Sequence, residues 1–251
     1  MREIKYIYED NDILVCHKPS GVATEGAKAY TMDLISSARN YLARKNRQGK
    51  PPYVATVHRL DQPVEGVVVL AKTKKAAGDI ASQIKKRSTD KYYYALCYGI
   101  VPEDEGHLSD YLVRTEDGLA KVISEREKDS LKDSCITLEN GDKIRIVAGE
   151  AKKAELDYTV IKRTENTTLL RIKLLTGRFH QIRVQISNMG YPILGEKRYE
   201  SRESAAYSEE QGIRDICLVS YKFALDHPTT KKRMEFEIVP NNLHIKRLLG
   251  D

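Results

Sequence analysis

The chain has 251 residues, 41% apolar and 31% charged, a balance that suits a folded globular protein and excludes a disordered one. No apolar run reaches the roughly 18 residues a membrane helix needs, and residues 1–5 open no apolar signal segment, so a cytoplasmic protein is expected. Lys and Arg (42) exceed Asp and Glu (36), which suits a polyanionic partner without establishing one.

Residues 4–8 and 13–17 read as two short strands around the turn Glu9-Asp10-Asn11-Asp12, and Lys18-Pro19-Ser20-Gly21 breaks the second. The spacing of Leu34, Ile35, Ala38, Tyr41 and Leu42 predicts a helix over 32–47, closed by Pro51-Pro52. Residues 54–57 and 67–71 are apolar, β-branched strand candidates with a loop, 58–66, between them. An amphipathic helix is predicted over 74–87, with Ala77, Ile80, Ala81 and Ile84 inward. Residues 91–99 follow as a strand rich in tyrosine.

Residues 102–152 are charged and poorly patterned, with short strands expected near 120–124 and 143–147. Two alternating runs, 154–163 and 168–175, predict an antiparallel pair turning at Glu165-Asn166. A helix is predicted over 178–189, with the stripe Phe179, Ile182, Ile186, Met189 and Gly190 as its C-terminal cap. Residues 201–214 read as a polar loop, 216–224 and 233–239 as closing strands, and 241–249 as a last short helix. Strands outnumber helices and no βαβ rhythm recurs, so the expected class is α+β, a mixed, mainly antiparallel sheet flanked by helices. One domain over 1–251 is expected, a monomer by default. Cys16, Cys97, Cys135 and Cys217 are scattered, as reduced thiols would be, and no cluster suggests a metal site.

Three segments carry candidate chemistry. His58-Arg59-Leu60-Asp61-Gln62-Pro63-Val64-Glu65-Gly66 places a carboxylate in a loop between two apolar strands, where sites are commonly built, although a solvated turn fits it too. In strand 91–99, Lys91, Tyr93, Ala95, Cys97 and Gly99 share one face. Small neighbours leave room above the Tyr93 ring, as a base-stacking platform requires. Tyr92, Tyr94 and Tyr98 read as packing residues. In Gly177-Arg178-Phe179-His180-Gln181-Ile182-Arg183, a strand gives way to a helix start that could face an anion or simply pack. His180 and Arg183 are expected on one helix face.

Together these segments resemble the RluA-type family of RNA pseudouridine synthases. The match comprises HRLD followed by a short loop, Gly, an apolar strand and Ala71-Lys72, then Lys91, Tyr93 and Ala95, then Gly177 to Arg183. Lys18, Pro19 and Gly21 near the start, and Gly190, Pro192, Ile193, Gly195 and Tyr199 after the helix, are also in pattern. Family members commonly carry Thr-Ser where this chain has Val64-Glu65, a departure that bears on loop hydrogen bonding or substrate choice. Many also carry an N-terminal S4-like RNA-binding domain, which is expected to be missing here.

The resemblance implies the pseudouridine synthase fold, no cofactor, no metal, and a structured RNA (ribosomal or transfer) as substrate. It implies catalytic roles for Asp61, Tyr93 and Arg183: nucleophile or base, base-stacking ring, and ion-pair partner of Asp61. Arg59 would assist nucleotide flipping, and His58, Arg178, His180 and Gln181 would contact substrate. Attack at C1′, removal of the C2′ proton and addition to C6 all remain compatible with the sequence. Two other readings are an inactive RNA-binding protein on the same scaffold and an N-glycosidase pairing Asp61 with Glu65.

Overall fold

The computed structural model describes residues 3–27, 31–45, 49, 51–132, 134–147 and 150–250. In chain order the elements are β1 (Lys5–Glu9), β2 (Ile13–Lys18), α1 (Leu34–Lys45), β3 (Ala55–Thr56), β4 (Glu65–Ala71), α2 (Lys74–Lys85) and β5 (Asp90–Tyr98). Then come β6 (Glu105–Arg114), β7 (Ala120–Ile123), α3 (Glu125–Asp129), β8 (Cys135–Thr137), β9 (Lys143–Arg145), β10 (Lys152–Arg163) and β11 (Thr167–Leu174). The chain closes with α4 (Gln181–Asn188), α5 (Arg202–Glu210), β12 (Leu218–Asp226), β13 (Arg233–Glu237) and α6 (Leu243–Leu249). Among the described residues, no helix is long and apolar enough to cross a membrane. The chain divides into two compact units, Met1–Tyr94 with Leu218–Asp251, and Ala95–Cys217.

In the first unit the strand order is β1-β2-β4-β12-β5, with β13 on β12 and β3 on β4. Asp10 closes the β1–β2 hairpin by accepting the Asp12 and Ile13 N–H groups on one carboxylate oxygen. β2 and β4 run antiparallel and are buried along their whole length, because Ile13–Cys16 and Val67–Ala71 are apolar toward both faces. β4 pairs β12 in parallel, through Glu65 and Val219 and through Gly66 and Ser220. That pairing makes the sheet mixed, as the sequence predicts. Asp33 starts α1 by accepting the Ser36 N–H at 2.7 Å, and Leu34, Ile35, Ala38 and Leu42 bury. The final two residues of the helix predicted over 32–47 lie outside the described residues.

In the second unit the order is β5-β11-β10-β6-β7, and β8 and β9 form a separate hairpin. β10 and β11 pair antiparallel from Leu156 and Leu174 to Arg163 and Thr168, so the turn falls where Glu165-Asn166 predicted it. The charged stretch holds more structure than its sequence suggests: β6, α3 and β8 are additional elements. Val113, Ile123, Ile136, Leu138 and Ile146 form a small core beneath them. β6 and β8 each give this core one buried residue, Val113 and Ile136, and α3 gives none, which leaves little periodic signal.

Two further expectations are corrected. Residues 201–214 are not a loop but contain α5, opened by a capping box in which Ser201 and Ser204 bond each other's backbone N–H. Its buried side chains are the hydroxyls Ser204 and Ser208, which satisfy themselves on Ser201 O, Ser204 O and the Gly195 N–H. A helix burying serine has no hydrophobic stripe to read. The helix predicted over 178–189 begins at Gln181, because His180 is in the left-handed region at φ 52°. Gly190, at φ 95°, follows it in the conformation expected of a terminating glycine.

Gly66 sits where β4 meets β12. A Cβ there would lie 2.5 Å from both Cβ and O of Ser220, and its φ is +154°. Gly66→Ala should therefore cost on the order of 2–4 kcal/mol through overpacking and backbone strain. Urea unfolding, compared with wild type, is the measurement, and an unchanged midpoint would contradict the close approach.

Candidate active site

Asp61 lies in the short connection from β3 to β4, and the segment leaving β2 grips that connection on both flanks. On one side Thr24 Oγ1 donates to Leu60 O at 2.8 Å and accepts the Leu60 N–H at 3.2 Å. On the other, Gln62 O accepts both the Gly21 N–H (2.9 Å) and the Lys18 ammonium (3.2 Å). Asp61 O in turn accepts the Val64 N–H at 3.0 Å, closing a turn. With its neighbours tied to residues 18–24, Asp61 has little backbone freedom, and its half-buried side chain is held on a rigid base.

Lys18 is fully buried, and Nζ also donates to Val22 O at 2.7 Å and Pro19 O at 3.2 Å. Burial pulls its pKa down to about 7, against the opposing charges of Asp61 and Glu65. Tyr93, on β5, is buried, while on the opposite face Tyr94 stacks on Tyr221 and Tyr92 lies tilted to the same ring. The alternation read from the sequence holds. Burial pushes the Tyr93 phenol up to about 12; its hydrogen bond with Ser220 opposes the rise and the Asp61 charge adds to it. Asp61, Tyr93 and Lys18 therefore share one electrostatic neighbourhood in the first unit.

The other loop residues divide by exposure. His58 Nε2 accepts the Val69 N–H at 3.0 Å, and the ring stacks on Phe223 with centroids 4.4 Å apart. Burial, with the Lys91 charge adding, pushes its pKa down to about 3, so the imidazole is neutral. Arg59 is exposed and pairs with Glu25 at 3.0 Å. Glu65 is buried, its carboxylate accepting from Asn241 N–H (2.7 Å) and Asn242 N–H (3.2 Å) and lying 2.7 Å from His17 Nε2.

In the second unit, Arg183 is buried in α4 and gripped by Glu196 through Nε at 2.6 Å and Nη2 at 2.7 Å. Burial alone would raise the Glu196 carboxyl, but Arg183 and the backbone N–H groups of Arg198 and Lys197 hold it below the usual range. The expectation that His180 and Arg183 share a helix face is corrected, since His180 precedes the helix. His180 Nδ1 lies 2.8 Å from the Tyr199 hydroxyl, and its ring stacks on Phe179. Gln181 turns back so that Oε1 accepts from Thr176 Oγ1 and the Arg178 N–H, which occupies a donor the sequence suggested for an anion. Arg178 Nε donates to Lys153 O.

Sequence reasoning missed Thr24, Glu196 and Ser220 altogether, and assigned Lys18 no role. Each is defined by a partner far along the chain, so no local spacing could reveal it.

Comparison with known proteins gives a consistent result. Residues 12–188 match the family model described as RNA pseudouridylate synthase. A protein of Aquifex aeolicus (strain VF5) named "Uncharacterized RNA pseudouridine synthase" is 33% identical over 94% of this chain and 69% of its own length. The "Ribosomal large subunit pseudouridine synthase C" of Buchnera aphidicola subsp. Schizaphis graminum (strain Sg) is 29% identical over 97% of this chain and 69% of its own. Among solved structures, "Human RNA Pseudouridylate Synthase Domain Containing 4" shares the fold, with a TM-score of 0.73 at 21% identity, covering 96% of this chain and 92% of that one.

Two predictions follow from the geometry. Glu196→Ala should leave the buried Arg183 guanidinium without its forked partner and cost about 3–5 kcal/mol, read by urea unfolding. An effect under about 1 kcal/mol would mean that the pair holds little. For His58, the unfolded ring protonates near its ordinary 6.5 and the folded ring only near 3. Its contribution is complete above pH 6.5 and is lost as pH falls through that window. His58→Gln should accordingly show a shallower loss of stability between pH 6.5 and 4 than wild type, measured by thermal melts across that range.

Proposed function

The chain belongs to the RNA pseudouridylate synthase family, in its RluA-type branch, and we propose that Asp61 is the carboxylate with which it isomerises a uridine of ribosomal RNA. The observation that carries this reading is the double-sided grip on the Asp61 loop, beside a buried tyrosine ring and a buried ammonium. Ribosomal RNA is preferred to transfer RNA because several similar proteins bear the name ribosomal large subunit pseudouridine synthase. The site of action would be the cytoplasm.

Pseudouridine formation breaks the N1–C1′ bond and joins C5 to C1′; the C5 proton leaves and N1 gains one. The chemistry needs a carboxylate at the sugar and a surface that holds the detached uracil. In this proposal Asp61 acts at the sugar or base, and the Tyr93 ring stacks on the uracil with its hydroxyl taking part in removal of the C5 proton. Arg183 is proposed as a catalytic cation, and the Glu196 fork fixes its guanidinium within the second unit. Arg59, exposed and held by a surface pair, fits the part of a side chain that enters the space vacated by a flipped nucleotide. Arg178 would meet phosphate, while His58, His180 and Gln181 would act through the hydrogen bonds already described. Glu65 is engaged by His17 and two backbone donors, which argues against its service as the second carboxylate of a hydrolytic pair.

Asp61→Asn keeps the shape and removes the charge. Turnover should fall by at least about a thousandfold while RNA binding is retained. Pseudouridine mapping of ribosomal RNA from cells carrying wild type, this variant or no protein is the test. A mapped site that the variant still modifies would eliminate the proposed nucleophile. Tyr93→Phe keeps the ring, so binding should persist and product formation slow; normal turnover would remove the hydroxyl from the chemistry.

A further inference from the structure

The face of β6, β7 and β10 that carries α4 runs on past the start of that helix as a rim of cations. Leu112, Ala120 and Ala154 pack with Val184, and Phe179 and Tyr199 lie against them. Arg114 stands two residues beyond Leu112 on β6, and Lys152 on β10 is the register partner of Leu112. Strand alternation puts both on that same face, and both are exposed. The Arg114 guanidinium lies over the Phe179 ring, 4.5 Å from its centroid, and the neighbouring Arg178 donates from Nε to Lys153 O at 2.9 Å. The turn from β6 to β7 is pinned twice to the segment that follows α4. The Tyr199 hydroxyl accepts the Ala120 N–H at 2.7 Å, and Arg198 Nη1 donates to Gly118 O at 3.0 Å.

The partners of these guanidiniums set them apart. Arg59, Arg163, Arg183 and Arg233 each lie on a carboxylate. Arg114 lies on a ring instead, while Arg178 and Arg198 each give one N–H to a neutral carbonyl. Among the described residues none of these three is in an ion pair, so each is held in place with its charge uncancelled. The acids of the turn are Glu116 and Asp117. Thr115 and the Leu119 N–H hold the Asp117 carboxyl low, with the Arg198 charge adding. Arg114, Lys152, Arg178 and Arg198 thus face two carboxylates with four cations.

We propose that this rim is a contact surface for the RNA backbone, on which Arg114, Lys152 and Arg198 bind phosphates alongside Arg178. The proposal rests on the reading of ribosomal RNA as substrate, and it adds three side chains to which the sequence assigned no role.

A guanidinium fixed by a ring or a carbonyl keeps further N–H donors for a phosphate, and its pre-set position reduces the entropy lost on binding. The Phe179 ring under Arg114 stacks in turn on His180, with centroids 3.7 Å apart, so the rim is continuous with a residue proposed to contact substrate. Phosphate contacts carry no base information, and the rim accordingly positions the strand rather than selecting the uridine.

The test is filter binding of a large-subunit ribosomal RNA transcript to the full chain at salt concentrations from about 50 to 200 mM. Arg114→Gln and Arg198→Gln should each weaken binding roughly three- to tenfold and lower the slope of log affinity against log salt by about one. Arg114→Lys, which keeps the charge, should restore the slope. Lys162→Gln removes an exposed charge from the far end of β10, about 30 Å along the strand from Lys153, and should change neither affinity nor slope. Wild-type slopes in both glutamine variants overturn the proposal. So does weaker binding at an unchanged slope, the mark of altered structure, or an equal loss in Lys162→Gln, the mark of general charge. Should Arg114→Gln lose its fold in a thermal melt, Lys152→Gln decides on the same criteria. Binding needs no turnover. A wild type that isomerises uridine while the variants bind as it does sinks the rim and spares Asp61, whereas rim-dependent binding without isomerisation does the reverse.

Discussion

The first unit depends on one arrangement: a buried ammonium that holds a loop by its backbone. Lys18 reaches three carbonyls, one of them Gln62 O, across 44 residues of sequence. Surface loops are ordinarily mobile because water satisfies their polar groups. Here the carbonyl and N–H of Leu60 and the carbonyl of Gln62 are satisfied by protein instead. Asp61 sits between those two fixed residues, so its position follows from the β2–β4 core. That core is apolar on both faces, and each fully buried valine in β4 contributes about 1.5–3 kcal/mol to holding it.

The second unit solves a related problem by other means. Between Gln181 and Ile186 every residue of α4 is buried, including Gln181, Arg183 and Gln185. Gln181 meets Thr176 and Glu155 O, Arg183 meets Glu196, and the Gln185 amide nitrogen meets Asp110 at 2.6 Å, while Gln185 Oε1 is left buried without a partner among the described residues. Unpartnered, any one would cost more than a lost surface contact. A helix buried all round with polar residues is thus specified by its hydrogen bonds as much as by its apolar ones.

Glu65 illustrates how a buried carboxylate is accommodated. A carboxylate entering a buried strand start requires donors, and the segment before α6 provides two backbone N–H groups while β2 provides His17. The same α6 is capped by Asn242, whose side chain accepts the Ile245 N–H at 3.1 Å. Residues 241 and 242 thereby serve both a helix start and a buried charge.

The sequence by itself determined the strands with strong apolar or alternating patterns, the helices with apolar stripes, the β10–β11 turn and the mixed α+β class. It also singled out the segments proposed to carry the chemistry, because HRLD, the Lys91-to-Ala95 strand and the Gly177-to-Arg183 stretch are local patterns. It lost β6, α3 and β8, where apolar residues are sparse, and α5, whose buried face is serine. Only the tertiary structure decided what grips Asp61, where the Glu65 charge is spent and how Arg183 is forked by Glu196. The physical reason is separation. Hydrophobic periodicity is written within one turn or one strand, whereas a buried charge finds its partner through the fold, as Lys18 does at Gln62 and Glu65 at Asn241.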